Sequence, residues 1–446
     1  MVLKNSLNIF IGIFFLIINK FRTIYLNSKI YNNKISKISE NTLNYRPSLD
    51  ILSCLFKYEN KPKNINEYIL NSIWKDSRIS KKESKKLNSF FWLFTLDLKS
   101  SKKNTQSVKL NWIDANQNYT QNNWEIDTLS RRIIAWISNS KLTYESSETN
   151  YKLQFNSLIK KQTNHLVNEI KRTDKLDDKI IGSTAIILVG LSYGDAYYLK
   201  FGIDLLKKIL NFSLDVSSFP KSRNLRQLVF YLKYIIVIRE LLKESQNTIP
   251  EFLDETIFYL GKSYNLLCAN KGNGMLFNGN FEEPNKEFDN YLNFHKYKFK
   301  DDTNETGGYV VLKNKKFLLA VDIGKSPDKK FSKDYQAGVL SFEFNFSGEK
   351  VITNSGYFQD HRHQLNIISK SSATHSTLVL NNKSTVNFER DKFGHMLVNK
   401  SFKILNKEIK TEKDFWSIRA SHDAYSKSNG VIYERTLQCF HEKYSL

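Results

Sequence analysis

Near residue 300 the spacing of apolar residues changes from a helical period to a strand period. That change limits the chain to a helical part followed by a β part. Between about 87 and 300, Leu129, Ile133, Trp136 and Ile137 share one helical face, as do Leu225, Leu228, Val229, Leu232, Ile235 and Ile236. Leu253, Ile257, Leu260, Tyr264 and Leu267 form a third stripe, and Thr248 with Glu251 ahead of it fits a capping box. Gly182, Gly190 and Gly194 mark a small-residue helix suited to close packing. Successive helices without strands between them indicate an all-α domain.

Beyond 300 the period is two. Tyr309 to Leu312 and Phe317 to Val321 flank a Lys-Asn-Lys-Lys connection and read as a hairpin. Leu340, Phe342, Phe344 and Phe346 alternate with Ser341, Glu343 and Asn345, and Ser347-Gly348 supplies a turn. Thr377 to Leu380, Trp416 to Ala420 and Val431 to Arg435 extend the series. Many short strands between Gly, Asn and Ser turns favour an antiparallel β-sandwich over a parallel sheet. The expected organisation is an apolar N-terminal segment over 1–30, a helical domain over 31–300 and a β domain over 301–446. The sequence ends soon after a strand, so an incomplete sandwich is left open.

With 446 residues, two cores are expected, and 41% hydrophobic residues can fill them. Cys54, Cys268 and Cys439 are far apart and odd in number, which implies neither a disulfide framework nor a zinc finger. Lys and Arg outnumber Asp and Glu by 67 to 45, a formal +22 that attracts polyanions. Because Lys is spread along the chain with Asn and Ile, a coding bias explains the charge equally well. No RRM, helix-turn-helix or zinc-finger signature accompanies it, so no specific nucleic-acid partner is expected. The run Leu7 to Ile18 is too short for a comfortable membrane span. It leaves three readings open: an uncleaved anchor or membrane-surface helix, a signal peptide, and a buried helix. The first two place the protein in the cell envelope or periplasm; a cytoplasmic location stays open under the third.

Several segments occur in a recognisable order: NSFFWL (88–93), WEIDTLSRRIIAWISNS (124–140), SRN (222–224), GMLFNG (274–279), YQAGVLSFEF (335–344), SSATHSTLVLNNKS (371–384) and ASHDAY (420–425). From about residue 85 onward the chain resembles the bacterial heparinase II/III-like proteins. The resemblance implies an N-terminal (α/α) toroid, an incomplete barrel, followed by an antiparallel β-sandwich. It also implies lyase action on an acidic, uronate-containing polysaccharide. Such β-elimination needs a base for the weakly acidic C5 proton, an acid for the leaving oxygen, and donors that stabilise charge developing on the carboxylate.

Residues follow from that chemistry. His375 matches the family's His in its motif and is the first candidate for base or carboxylate ligand. Asn224, at the head of an amphipathic helix, suits neutralising the uronate. Arg223 suits bidentate pairing with a carboxylate or sulfate. Tyr231 and Tyr335 are candidate phenols, and Asn278 and His422 candidate substrate contacts. The structural alternatives are a hydroxyl-bonded His375, an N-capping Asn224, core packing for both tyrosines and a plain turn at Asn278. The chain departs from the family pattern in three places. SSFPK (217–221) stands where relatives carry Gly-Gly-His. Leu225, Arg226 and Gln227 stand where characterised lyases carry Tyr. Gln336 stands where a His often does. No cofactor is expected, although His361 with His363, or His422 with Asp423, leaves a divalent metal open. Two functions are weighed: a lyase, and a non-catalytic acidic-glycan-binding or envelope-assembly protein of the same fold.

Overall fold

A computed structural model of the chain describes residues 14, 16–36, 42–56, 79–95, 102–145, 147–269, 274–281, 285–300, 303–412 and 415–440. Most of the Leu7–Ile18 run lies outside them. The chain divides into two compact units, residues 1–212 with 233–254, and residues 213–232 with 255–446.

The first unit is helical. Helix Ile126–Ser138 packs on Leu176–Tyr193 and on Lys81–Ser89, and Thr149–Glu169 packs on Leu176–Tyr193 and Lys102–Asn116. The predicted small-residue helix is Leu176–Tyr193, which ends at Gly194 in the left-handed region. A Cβ on Gly190 would lie 2.5 Å from the Leu199 nitrogen, so the backbones approach as only glycine permits. A capping box closes the start of Lys81–Ser89, with Ser80 and Glu83 as its members. The motif segment around Trp136 fills the centre. Phe90, Trp112 and Trp136 meet edge to face, and the buried Arg132 lies 4.1 Å over the Trp112 ring. Arg132 donates to the carbonyls of Asn88 and Asn123, each at 2.8 Å.

At the N-terminal side, residues 16–26 are helical, with Leu16, Ile17 and Ile18 exposed. The buried-helix reading therefore does not hold for the described part of the apolar run. Among the described residues no helix is long and apolar enough to cross a membrane.

The second unit carries the strands. β1 (Glu305–Thr306), β2 (Tyr309–Lys313), β3 (Phe317–Asp322), β4 (Phe342–Phe346) and β5 (Glu349–Ile352) form one antiparallel sheet in that order. β6 (Asn387–Arg390) pairs with β7 (Met396–Lys400). β8 (Ile404–Thr411), β9 (Phe415–His422) and β10 (Tyr433–Phe440) form a third sheet, ordered β10-β9-β8. Val310, Leu312, Phe317, Leu319 and Val321 from the first sheet share one core with Trp416, Ile418, Ala420 and Cys439 from the third. Two sheet faces closing on one apolar layer make the sandwich predicted from alternation.

Three local expectations need correction. Thr377 to Leu380 is not a strand: only Leu380 makes an isolated bridge, to Lys383. The hydroxyls of Ser376 and Thr377 donate instead to the carbonyls of Phe342 and Val339. Glu343, expected to face solvent, is buried. It accepts from the backbone nitrogens of Leu276 and Asn354, each at 3.1 Å. His361 to His363 is a turn, with His363 capping helix Gln364–Lys370, so the two imidazoles do not share a strand face.

Candidate functional site

The second unit interlocks the segments GMLFNG, YQAGVLSFEF and SSATHST. Gln336 is the centre. Its Oε1 accepts from the Gly279 nitrogen at 3.1 Å, and its Nε2 donates to the carbonyls of Gly356 (2.9 Å) and Ser369 (2.6 Å). Its own backbone nitrogen donates to Asn278 Oδ1 at 3.2 Å. Ser372 donates to the Ala337 carbonyl at 2.6 Å, which ties the third segment to the second.

Two predicted residues lie against neighbours of this centre. Asn224 heads helix Leu225–Glu244. Its Oδ1 accepts from the Gln227 nitrogen at 3.1 Å, and its Nδ2 donates to Asp334 Oδ2 at 3.1 Å. Its amide lies so close over Gly279 that a Cβ there would sit 2.3 Å from Nδ2, and Gly279 also has φ +77. His375 lies against Gly338, where a Cβ would meet the ring at 3.1 Å. Asp334, Gln336 and Gly338 thus alternate along one stretch, touching Asn224, the loops and His375 in turn. Asp334 also accepts the Tyr357 hydroxyl at 3.1 Å and has Arg226 at 3.8 Å.

The electrostatics follow from burial. His375 Nε2 is sealed from solvent and has no hydrogen-bond partner among the described residues. Burial pushes its pKa down to about 4, with the Ser369 backbone opposing, so the ring is neutral near pH 7. Lys370, buried beneath Tyr357, donates to the carbonyls of Lys333 and Met396, and burial lowers it to about 8. Burial and the Asp334 charge raise the Tyr357 phenol, which stays protonated and donating.

Arg223 and Asn278 serve a neighbouring knot. Arg223 holds φ +57 and donates to Asp322 Oδ1 (2.7 Å), to the carbonyls of Gly307 (2.9 Å), Gly308 (3.2 Å) and Lys325 (3.2 Å), and lies 4.5 Å over the Tyr309 ring. Burial, the largest single influence, lowers its pKa, but the charge and hydrogen bond of Asp322 together with Tyr309 and Tyr335 raise it, and the net shift is upward. Asn278 donates to Asp322 (3.0 Å) and to the Tyr309 hydroxyl (2.6 Å), which in turn donates to the Arg223 carbonyl at 2.7 Å. Tyr335 is fully buried beside this knot, protonated, with its hydroxyl unpartnered among the described residues. Tyr231 is fully buried beside Phe230. His422 sits among Phe402, Tyr425 and Tyr433, accepting from the Ala424 nitrogen at 3.2 Å, and is not brought to the cluster. The His361 ring lies tilted against that of His395 at 4.6 Å, and the His363 ring against that of Phe358 at 4.9 Å. Among the described residues, no three His, Cys, Asp or Glu side chains gather to hold a metal.

Asp334, Tyr357, Lys370 and Asp322 escaped the sequence reading. Only Asp322, a carboxylate ending the apolar run of β3, left a signal there.

Residues 302–446 match the family model described as heparinase II/III-like, C-terminal. No curated protein matches by sequence. A mutant heparan sulfate lyase HepC from Pedobacter heparinus superposes with a TM-score of 0.65 at 13% identity, over 92% of this chain and 71% of that one. Heparinase III gives 0.59 at 13%, over 91% and 72%. A further heparinase III, the BT4657 gene product, gives 0.61 at 13%, over 91% and 69%. These likenesses show the fold, an α/α toroid followed by an antiparallel β-sandwich.

Proposed function

We propose that this chain, with its heparinase II/III-like C-terminal domain, is a lyase acting on a uronate-containing acidic polysaccharide by β-elimination. The observation that carries this reading is the placement of Asn224 and His375 along the single stretch 334–338. In this reading Asn224 and the half-exposed Arg226 hold the uronate carboxylate, and His375, whose Nε2 is sealed in the free chain, takes the C5 proton once the bound polymer has opened a path to it. A neutral imidazole can accept that proton, and a bound anion raises its pKa toward working pH. Tyr357, protonated and donating to Asp334, is the group this reading assigns to return a proton to the leaving oxygen. Tyr231, Tyr335 and His422, weighed from the sequence, have no role in this scheme. Arg223 and Asn278 hold the frame.

Incubation of the full chain with heparan-type, chondroitin-type and alginate polymers tests this. Growth of the ultraviolet absorbance of the unsaturated uronate is expected with one class, and its loss in His375→Ala. Absence of signal from all three classes overturns the lyase reading. Gln336 favours a second reading, an acidic-glycan-binding or envelope-assembly protein. An amide whose donors and acceptor are all engaged can neither give nor take a proton where relatives often carry His. Calorimetric binding of an acidic oligosaccharide without cleavage would decide for it. Either function implies residence in the cell envelope or periplasm, which fractionation of the native host checks.

A further inference from the structure

The helix over residues 16–26 has two unlike sides. One side is seated on the first unit: Arg22 pairs with Glu169 and Leu26 is buried. The next helix, Lys29–Ile35, continues the seat. It buries Tyr31 and Ile35, and the Tyr31 hydroxyl meets His165 Nδ1 at 2.8 Å. The other side carries Phe14, Ile17, Ile18, Phe21 and Ile24, at helical spacing and between 43% and 69% exposed. Five large apolar side chains aligned on one exposed face are not the surface of a chain that meets only water.

Charge says what covers that face. The first 39 residues contain Lys4, Lys20, Arg22, Lys29, Lys34 and Lys37 and no Asp or Glu. Lys20 is exposed on the same helix, and Lys29 and Lys34 are exposed on the helix that follows. Basic residues flanking an apolar helical face attract anionic lipid headgroups while the face sinks among the acyl chains. Eleven helical residues extend only about 16 Å, half of a bilayer's hydrocarbon core. The described helix therefore suits lying in the membrane surface.

The geometry points to a peripheral membrane-docking face formed by Ile17, Ile18, Phe21 and Ile24, with an anionic lipid surface as its partner. Arg22 and Leu26 hold the first unit against that surface. The inference is independent of the glycan chemistry.

Co-sedimentation of the full chain with phosphatidylglycerol-containing vesicles, against vesicles of phosphatidylcholine alone, tests it. Binding to the anionic vesicles, weakened by salt, is expected. Phe21→Glu with Ile24→Glu should lower the bound fraction at least about tenfold with thermal unfolding unchanged, because both side chains face outward. Three results overturn it. One is wild-type chain left in the supernatant, and another is a variant that binds as wild type does. The third is a wild-type dimer that the variant dissolves without any vesicle binding, which would make the face a contact between copies of the chain.

Discussion

Arg223 donates to Asp322 Oδ1 at 2.7 Å, and both side chains are almost wholly shielded from solvent. The guanidinium also donates to three carbonyls and to Asp322 Oδ2 at 3.4 Å, and among the described residues Asp322 is its one charge partner. Removing one member of a buried pair strands the other, at a cost of about 3–5 kcal/mol. Asp322→Ala should therefore destabilise the second unit by that amount in denaturant unfolding. Asp322→Asn, which keeps an acceptor, should cost less. A loss below about 1 kcal/mol for Asp322→Ala would show that water reaches the guanidinium.

Asn224 carries two duties that substitutions can separate. Asn224→Ala removes the cap acceptor for the Gln227 nitrogen and should cost about 1 kcal/mol. Asn224→Asp keeps that acceptor but turns a carboxylate oxygen toward Asp334. Two facing carboxylates raise each other's pKa in the folded chain. Their protonated form is then the stable one, so stability relative to wild type falls as pH rises through the carboxylate range. Chemical unfolding at about pH 4 and about pH 7 should show a larger deficit at the higher value. If the deficit is the same at both, Asn224 does not face a charged Asp334.

The division into helices and strands was legible because burial of one face imposes its own period on the sequence. The sheet alternation held through Trp416, Ile418 and Ala420. It misled at Glu343, because the Leu276 and Asn354 backbones need an acceptor exactly where the strand's outward side is covered. The strand propensity of Thr377 to Leu380 lost to hydroxyl bonds made with a segment some 35 residues earlier. At the candidate site, residue types pointed to candidates but not to their partners. Arg223 has the chemistry of an anion ligand, and its anion is Asp322, 99 residues away along the chain. No spacing rule reaches that far, and the link from Asn224 to Asp334 spans 110.

Buried histidines set the acid limit of the fold. Burial holds His375 and His422 at about 4 and His165 at about 3, against an ordinary 6.5. Between those values the unfolded chain binds protons that the folded chain refuses. Stability is therefore highest above about 6.5 and falls as pH drops toward 4. Each histidine should contribute on the order of 3 kcal/mol to that fall. His375→Gln should shallow the slope in urea unfolding measured across the window. Under the lyase reading, kcat/KM should also begin to fall in acid only below about 4, the value of the free imidazole.

Lys109 sits in the first unit, and among the described residues no carboxylate pairs with it. Its Nζ donates to Thr143 Oγ1 at 3.1 Å and lies 5.7 Å from the Trp136 ring and 5.6 Å from that of Phe155. Burial lowers its pKa to about 7 from 10.5. Between those values the unfolded chain holds a proton that the folded chain has released, so stability rises with pH through that window. At neutral pH the fold therefore still carries part of the cost of a buried ammonium. Lys109→Met keeps the length of the side chain and removes the charge, and it strands nothing, because the Thr143 hydroxyl already donates to the Asn139 carbonyl at 3.0 Å. The variant should be more stable than wild type at pH 7 by on the order of 1 kcal/mol, and the alkaline rise should vanish from its profile. A variant less stable than wild type at pH 7 would mean that the ammonium's contacts with the two rings outweigh its desolvation.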